Sequence, residues 1–238
     1  VVAVNYQDNA LGGSGNVVNN LAALGADVAV LGVVGSGRDG ELLLNILSEL
    51  GLDPAGIIQE TGRPTTKKTR IIAEHQQVLR IDRETKKKVS AKTFASITAL
   101  AENIIPDVDV ILISDYGKGL ITRELITKLV NLANACGKIT IADPKGLDFS
   151  KYAGVNLLTP NKKEASLASG IEIIDEKSLT SAGSLLLKKS GIDKLLITCG
   201  KDGMVFFEPG RKPFTISTKA QEVYDVSGAG DTVIAVMG

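Results

Sequence analysis

Asp231 stands directly behind Gly228, Ala229 and Gly230, three residues with almost no side-chain bulk. Tyr224 and Val226 read as the end of an extended segment, and Thr232 onward reads as an apolar helix. Backbone N–H groups of such a turn close around an anion at a helix N-terminus. A carboxylate in the first helical turn, beside that anion, takes a proton from a hydroxyl attacking a phosphoryl group. Glycines alone make a turn. Glycines between a strand and a helix, with an acid behind them, predict phosphoryl transfer.

Other polar residues cluster where open α/β sheets gather their chemistry, beyond the carboxyl ends of strands. Ser114-Asp115-Tyr116-Gly117-Lys118-Gly119, Asp143-Pro144-Lys145, Thr159-Pro160-Asn161 with Glu164, and Thr198-Cys199-Gly200 with Gly203 each follow an aliphatic run. Four such loops describe the rim of a cleft. Gly12 and Gly13 would let a polyol lie against backbone, with Asn16 bonding a hydroxyl; a tight turn opening a helix accounts for the same residues. Asn161 and Glu164 share a face if a short helix follows Pro160. They could then hold water around Mg²⁺, and helix capping explains them equally. Lys68, Arg70, Arg80 and Lys145 are candidates to meet a substrate phosphate.

Gly35-Ser-Gly37-Arg-Asp-Gly40 satisfies a dinucleotide fingerprint, with Glu60 as the following acid. A Gly-rich strand–helix unit precedes it, however, whereas a dinucleotide loop opens its domain. No GxxxxGK[ST] loop and no HRD or DFG set occurs. His75, the single histidine, sits at the expected tip of a hairpin, without companions for a metal.

The elements that must position these residues alternate regularly. Helix patterns over residues 17–24, 39–50, 91–103, 122–135 and 179–189 separate strand patterns over 28–34, 57–58, 108–114, 138–142, 156–158 and 195–198. This order predicts an α/β fold, a mostly parallel central sheet with helices on both faces. Residues 204–207 and 214–216 read as an antiparallel pair. Residues 65–89 break the rhythm with β-branched and long polar side chains, predicting a small β insertion with lid or dimer character; a solvated edge accounts for the same residues. One domain over residues 1–238 is the simplest division.

Composition agrees. Hydrophobic residues are 44% of the 238, aromatics only 4%, and Gly numbers 25, which suits helices packed closely on a sheet. Lys plus Arg and Asp plus Glu both total 27, so no global field argues for nucleic acid. Apolar runs have strand length, arguing against a membrane span. Cys136 and Cys199 make no disulfide framework, favour a reducing, cytoplasmic setting, and read as core or near-core thiols. The strand pattern at Val1 and the helix pattern ending at Gly238 suggest a piece of a longer gene product.

Taken in order, Gly12-Gly13 with Asn16, Asn161-x-x-Glu164, Thr198-x-Gly200-x-x-Gly203 and Asp225-x-x-Gly-Ala-Gly-Asp231 resemble the ribokinase-like sugar kinases, the PfkB superfamily, over nearly the whole chain. Residues 76–82, 112–119, 143–146, 158–161 and 221–232 are similar to its bacterial heptose 7-phosphate kinases. The resemblance implies a ribokinase-like fold that uses ATP and Mg²⁺. It also implies phosphorylation of the anomeric hydroxyl of D-glycero-β-D-manno-heptose 7-phosphate, feeding lipopolysaccharide core synthesis. Another sugar phosphate or a nucleoside is the alternative acceptor, and a non-catalytic sugar- or nucleotide-binding module the alternative class. Asp231 would be the base and Gly228, Ala229 and Gly230 the anion hole. Asn161 and Glu164 would order magnesium, through water, and nucleotide phosphates. Thr198, Gly200 and Gly203 fall on the nucleotide side, Gly12, Gly13 and Asn16 on the sugar side. Lys68, Arg80, Asp115 and Lys145 would be candidates for lid, sugar or phosphate contacts. The resemblance implies a homodimer through the lid and allows a C-terminal nucleotidyltransferase domain in the full gene product. The family's first sugar-binding strand and its last adenine-pocket segment are expected to lie outside this sequence.

Overall fold

A computed structural model describes residues 4–73, 76–218 and 228–238. The strand pattern at Val1, the hairpin turn at Glu74 and His75, and the approach to the terminal helix through Asp225 lie outside the described residues.

The central sheet has six strands in the order β10-β9-β8-β7-β6-β5. Four of them run parallel: β5 (Val110–Ser114), β6 (Ile139–Asp143), β7 (Leu157–Leu158) and β8 (Lys194–Thr198). Strands β9 (Met204–Phe207) and β10 (Phe214–Ile216) add the expected antiparallel pair. The middles of the parallel strands, Ile111–Ile113, Ile141–Ala142, Leu157–Leu158 and Leu195–Ile197, are aliphatic because both faces are covered. Alternation along the strands divides the core in two. Ile113, Ala142, Leu158, Leu195 and Ile197 pack toward α3 (Ala91–Ile104), α4 (Arg123–Ala135), α5 (Lys162–Ser169) and α6 (Glu176–Ser190). Ile141, Leu157 and Leu196 pack instead with Val17 of α1 (Ser14–Ala23) and Ile234 and Ala235 of α7 (Ala229–Met237). The period of two thus delivers helices to both faces.

The strand pattern over 28–34 is realised only as β1 (Gly32–Gly35), in a separate parallel pair with β2 (Ile57–Glu60). A strand extends only as far as its partner, and β2 offers four residues. Helix α2 (Arg38–Glu49) follows β1. Two of the three dinucleotide-like glycines here serve packing. A Cβ on Gly35 would stand 2.0 Å from the Arg63 carbonyl oxygen, and one on Gly40 2.0 Å from that of Gly35. With those approaches filled by backbone, no phosphate cradle remains at either glycine.

The insertion is a two-stranded antiparallel hairpin, β3 (Lys67–Ala73) and β4 (Gln76–Arg83). Lys68 faces Asp82 and Arg70 faces Arg80, so these four share one face. Ile71, Leu79 and Ile81 share the other. Asp39 of α2 holds the hairpin root, 2.8 Å from Lys67 and 3.3 Å from Arg83. Cys199 is half-buried, but Cys136 is exposed, correcting its reading as a core or near-core thiol. It caps α4 one turn past Ala133, after the apolar stripe has ended. Among the described residues, no helix is long and apolar enough to cross a membrane.

Candidate active site

A cavity of about 180 Å³ opens at the carboxyl ends of the parallel strands. Each strand end contributes: Asp115 and Tyr116 after β5, Asp143 and Lys145 at β6, Thr159, Asn161 and Glu164 after β7, Thr198 at β8. The opposite wall is the start of α7, with Gly228, Gly230 and Asp231. All four loops singled out in the sequence therefore meet at one place, because parallel strands end on one edge of the sheet.

Asp231 lies in the first turn of α7, 7% exposed, and lines the cavity. It forms no ion pair among the described residues. Its two oxygens are held by neutral donors: Asn16 Nδ2 donates to Oδ2 at 2.9 Å and the Tyr116 hydroxyl to Oδ1 at 2.6 Å. Gly228 caps the helix with φ +83, and a Cβ there would come within 2.8 Å of Asn16 Nδ2. The first N–H groups of α7 have no partner inside the helix, so they and the helix dipole attract an anion.

Asn161 and Glu164 make a capping box at α5. Asn161 Oδ1 accepts from the Glu164 N–H at 2.9 Å, and Glu164 Oε2 accepts from the Asn161 N–H at 3.2 Å. Glu164 Oε1 also accepts from Lys145 Nζ at 2.8 Å, and this bond raises the Lys145 pKa. Asp115, 3% exposed, is committed to its neighbours. It accepts from the Tyr152 hydroxyl at 2.6 Å, from Lys151 and from the Gly117 N–H at 2.7 Å.

Gly12 and Gly13 precede α1 outside the cavity, and Gly13 packs beneath the Tyr116 ring. Gly200 and Gly203 shape the turn from β8 to β9 next to Thr198. There the Cys199 N–H donates to the Gly203 carbonyl at 2.8 Å. Lys68 and Arg80 stay on the hairpin, away from the cavity lining, paired with Asp82 at 3.0 and 2.9 Å.

Tyr116 and Asp143, like Pro144 and Thr159, line the cavity but were given no role by sequence reasoning. Tyr116 bonds Asp231. Asp143 is pushed up to about 7, chiefly by burial and then by Glu164 and Asp231 nearby. Both lie inside the strand-end motifs, and the parallel register that sets Ser114 beside Asp143 brings them together.

The class is set by fold. A ribokinase from Arabidopsis thaliana, solved with ribose and ATP, superposes with TM-score 0.76 at 20% identity, over 99% of this chain and 76% of that one. The tetrameric inhibited form of phosphofructokinase-2 from Escherichia coli also superposes with TM-score 0.76, at 19% identity over 95% and 74%. The fold is ribokinase-like. The profile of the pfkB family carbohydrate kinases matches residues 1–237, and the chain belongs to that family. Curated relatives include the "Bifunctional protein HldE" of Desulfatibacillum aliphaticivorans, 52% identical over 238 residues, and that of Helicobacter hepaticus, 48% identical over 237. Each match covers 100% of this chain and 49% of the relative, so the chain spans about half their length.

Proposed function

We propose that this chain is the kinase portion of a longer protein. It transfers the γ-phosphoryl group of ATP to the anomeric hydroxyl of D-glycero-β-D-manno-heptose 7-phosphate. The observation that carries the reading is Asp231, a cavity-lining carboxylate in the first turn of α7 beside the N–H groups that open the helix. Membership of a carbohydrate kinase family and the likeness to the HldE proteins point to the substrate.

In this mechanism Asp231 takes the hydroxyl proton as that oxygen approaches the γ-phosphorus in line. The N–H groups around Gly228, Ala229 and Gly230 stabilise charge on the transferring oxygens. Thr198, Gly200 and Gly203 border the nucleotide, with Asn161 and Glu164 near its phosphates. Gly12, Gly13 and Asn16 border the sugar. Lys145 offers a cation to a phosphate once it exchanges Glu164 for the ligand, and Asp115 holds the loop that bears Tyr116. Lys68 and Arg80 reach the substrate only if the hairpin moves toward the cavity.

The residues present fit Mg²⁺. Burial first, and then the nearby Glu164 and Asp231 carboxylates, raise the Asp143 pKa, and a divalent cation offsets the carboxylate repulsion. Glu164, with Asn161, would hold it through water. When bound it would neutralise charge on the nucleotide phosphates.

The lid's exposed Val78, Leu79 and Ile81 support a homodimer through the hairpin. The uncovered half of the relatives supports a C-terminal nucleotidyltransferase domain. ATP use and two free thiols fit the cytoplasm.

ADP formation by the full-length gene product would be followed with heptose 7-phosphate, unphosphorylated heptose, fructose 6-phosphate and a nucleoside. Turnover that depends on the 7-phosphate is expected. Equal rates with unphosphorylated heptose or fructose 6-phosphate would overturn the heptose assignment, and absence of ADP with tight sugar binding would indicate a binding module.

A further inference from the structure

Among the described residues, Tyr116 is a partner of Asp231 with no role in the reading above, and its placement is determined from several directions. Its loop leaves β5 with the Asp115 N–H donating to the Asp143 carbonyl at 3.1 Å. The Gly117 N–H bends back to Asp115 Oδ1 at 2.7 Å. Further along, the Lys118 carbonyl accepts from the Arg63 guanidinium, and the Gly119 carbonyl accepts from the Val89 N–H at 3.3 Å. The ring rests on Gly13, its carbons 3.4 Å from where a Cβ would stand. From this platform the hydroxyl reaches Asp231 Oδ1 at 2.6 Å.

We propose that Tyr116 is a positioning residue for the base: together with Asn16 it fixes the plane of the Asp231 carboxylate. A carboxylate on α7 can rotate about its last torsion, which is broad and roughly two-fold. Two donors on different oxygens, one from the β5 loop and one from α1, remove that freedom. Each oxygen has lone pairs beyond the one engaged, so the carboxylate can still accept from an incoming alcohol. Burial, and then the bond to Asp231, push the Tyr116 phenol well above its ordinary pKa. It therefore remains a donor and does not compete for the substrate proton. The gain is orientational, realised when the hydroxyl proton moves rather than when the sugar binds.

The inference rests on Asp231 being the base, and its test separates the two. In the full-length protein, Tyr116→Phe keeps the ring on Gly13 and removes only the hydroxyl. Tyr116→Leu removes the aromatic ring as well. Tyr116→Phe is expected to lower kcat about ten- to a hundredfold, the range for losing a hydrogen bond to a charged group. The KM for sugar phosphate and for ATP should stay at wild-type values. Added to Asp231→Asn, Tyr116→Phe should cause no further loss, because the hydroxyl acts through that carboxylate. Wild-type kcat in Tyr116→Phe, with a loss only in Tyr116→Leu, would show that the ring alone matters and overturn the proposal. So would a loss carried in KM, or an equal extra loss in the Asp231→Asn background. Wild-type turnover in Asp231→Asn alone would instead remove the base assignment itself.

Discussion

At the residue scale, two carboxylates in one cavity are treated differently by their surroundings. Asp231 is bonded by Asn16 and Tyr116, whereas Asp143 is half-buried beside Glu164 and Asp231. Asp231→Asn keeps the size and the contacts to Asn16 and Tyr116 within reach but cannot accept a proton. Turnover should fall by roughly 10²–10⁴, the scale of a lost general base, with ATP affinity retained. Steady-state kinetics beside nucleotide titration would check it, and turnover within tenfold of wild type would refute the role. For Asp143 the folded value of about 7 exceeds the usual 3.8, so between these values the folded chain binds the extra proton. Stability contributed by that protonated form is lost as pH rises toward 7. Asp143→Asn should therefore raise the melting temperature at pH 8 while changing little near pH 4, measured without divalent cation. An identical difference at both pH values would contradict the burial argument.

At the element scale, the hairpin exposes aliphatic side chains on one face and charges on the other. Leu79 and Ile81, about half exposed, stand on the face opposite Lys68 and Arg80. A two-stranded ribbon in water is marginal by itself and gains from covering such a face. Replacing both Leu79 and Ile81 by Lys should convert a dimeric full-length protein to monomers in light scattering. A dimer that persists would place the interface elsewhere. The β-branched and long polar side chains of residues 65–89 made the β insertion legible. Where its charges go was not legible. Lys68 and Arg80 are satisfied by Asp82 across and along the ribbon, contacts set by register and not by residue type.

At the scale of the whole molecule, function depends on which face of the sheet a helix covers. Leu195 and Leu196 are neighbours in β8, both essentially inaccessible, yet they belong to opposite cores. Each Leu→Ala change should cost about 2–5 kcal/mol of stability. Leu196→Ala should also reduce kcat, because its core seats α1 and α7, the helices that carry Asn16 and Asp231. Leu195→Ala should leave kcat of the folded fraction unchanged. Chemical denaturation with kinetics on the same samples would distinguish them, and equal kcat losses would remove the link between this core and the site.

Sequence alone determined the order of elements, the α/β class and the strand-end motifs, because hydrophobic period, glycine position and capping chemistry are local properties. Asn161 with Glu164 could be read as a helix start for the same reason, and the structure builds their capping box. Only the tertiary structure decided which motif faces a cavity. The glycines at 35 and 40 follow the same local rules as Gly228, yet backbone from Arg63 and from Gly35 fills their space. Tyr116 and Asp231 are far apart in the chain and look independent there. They meet because β5 ends beside the start of α7, and side-chain pairs across such distances are fixed by packing, which no local pattern encodes.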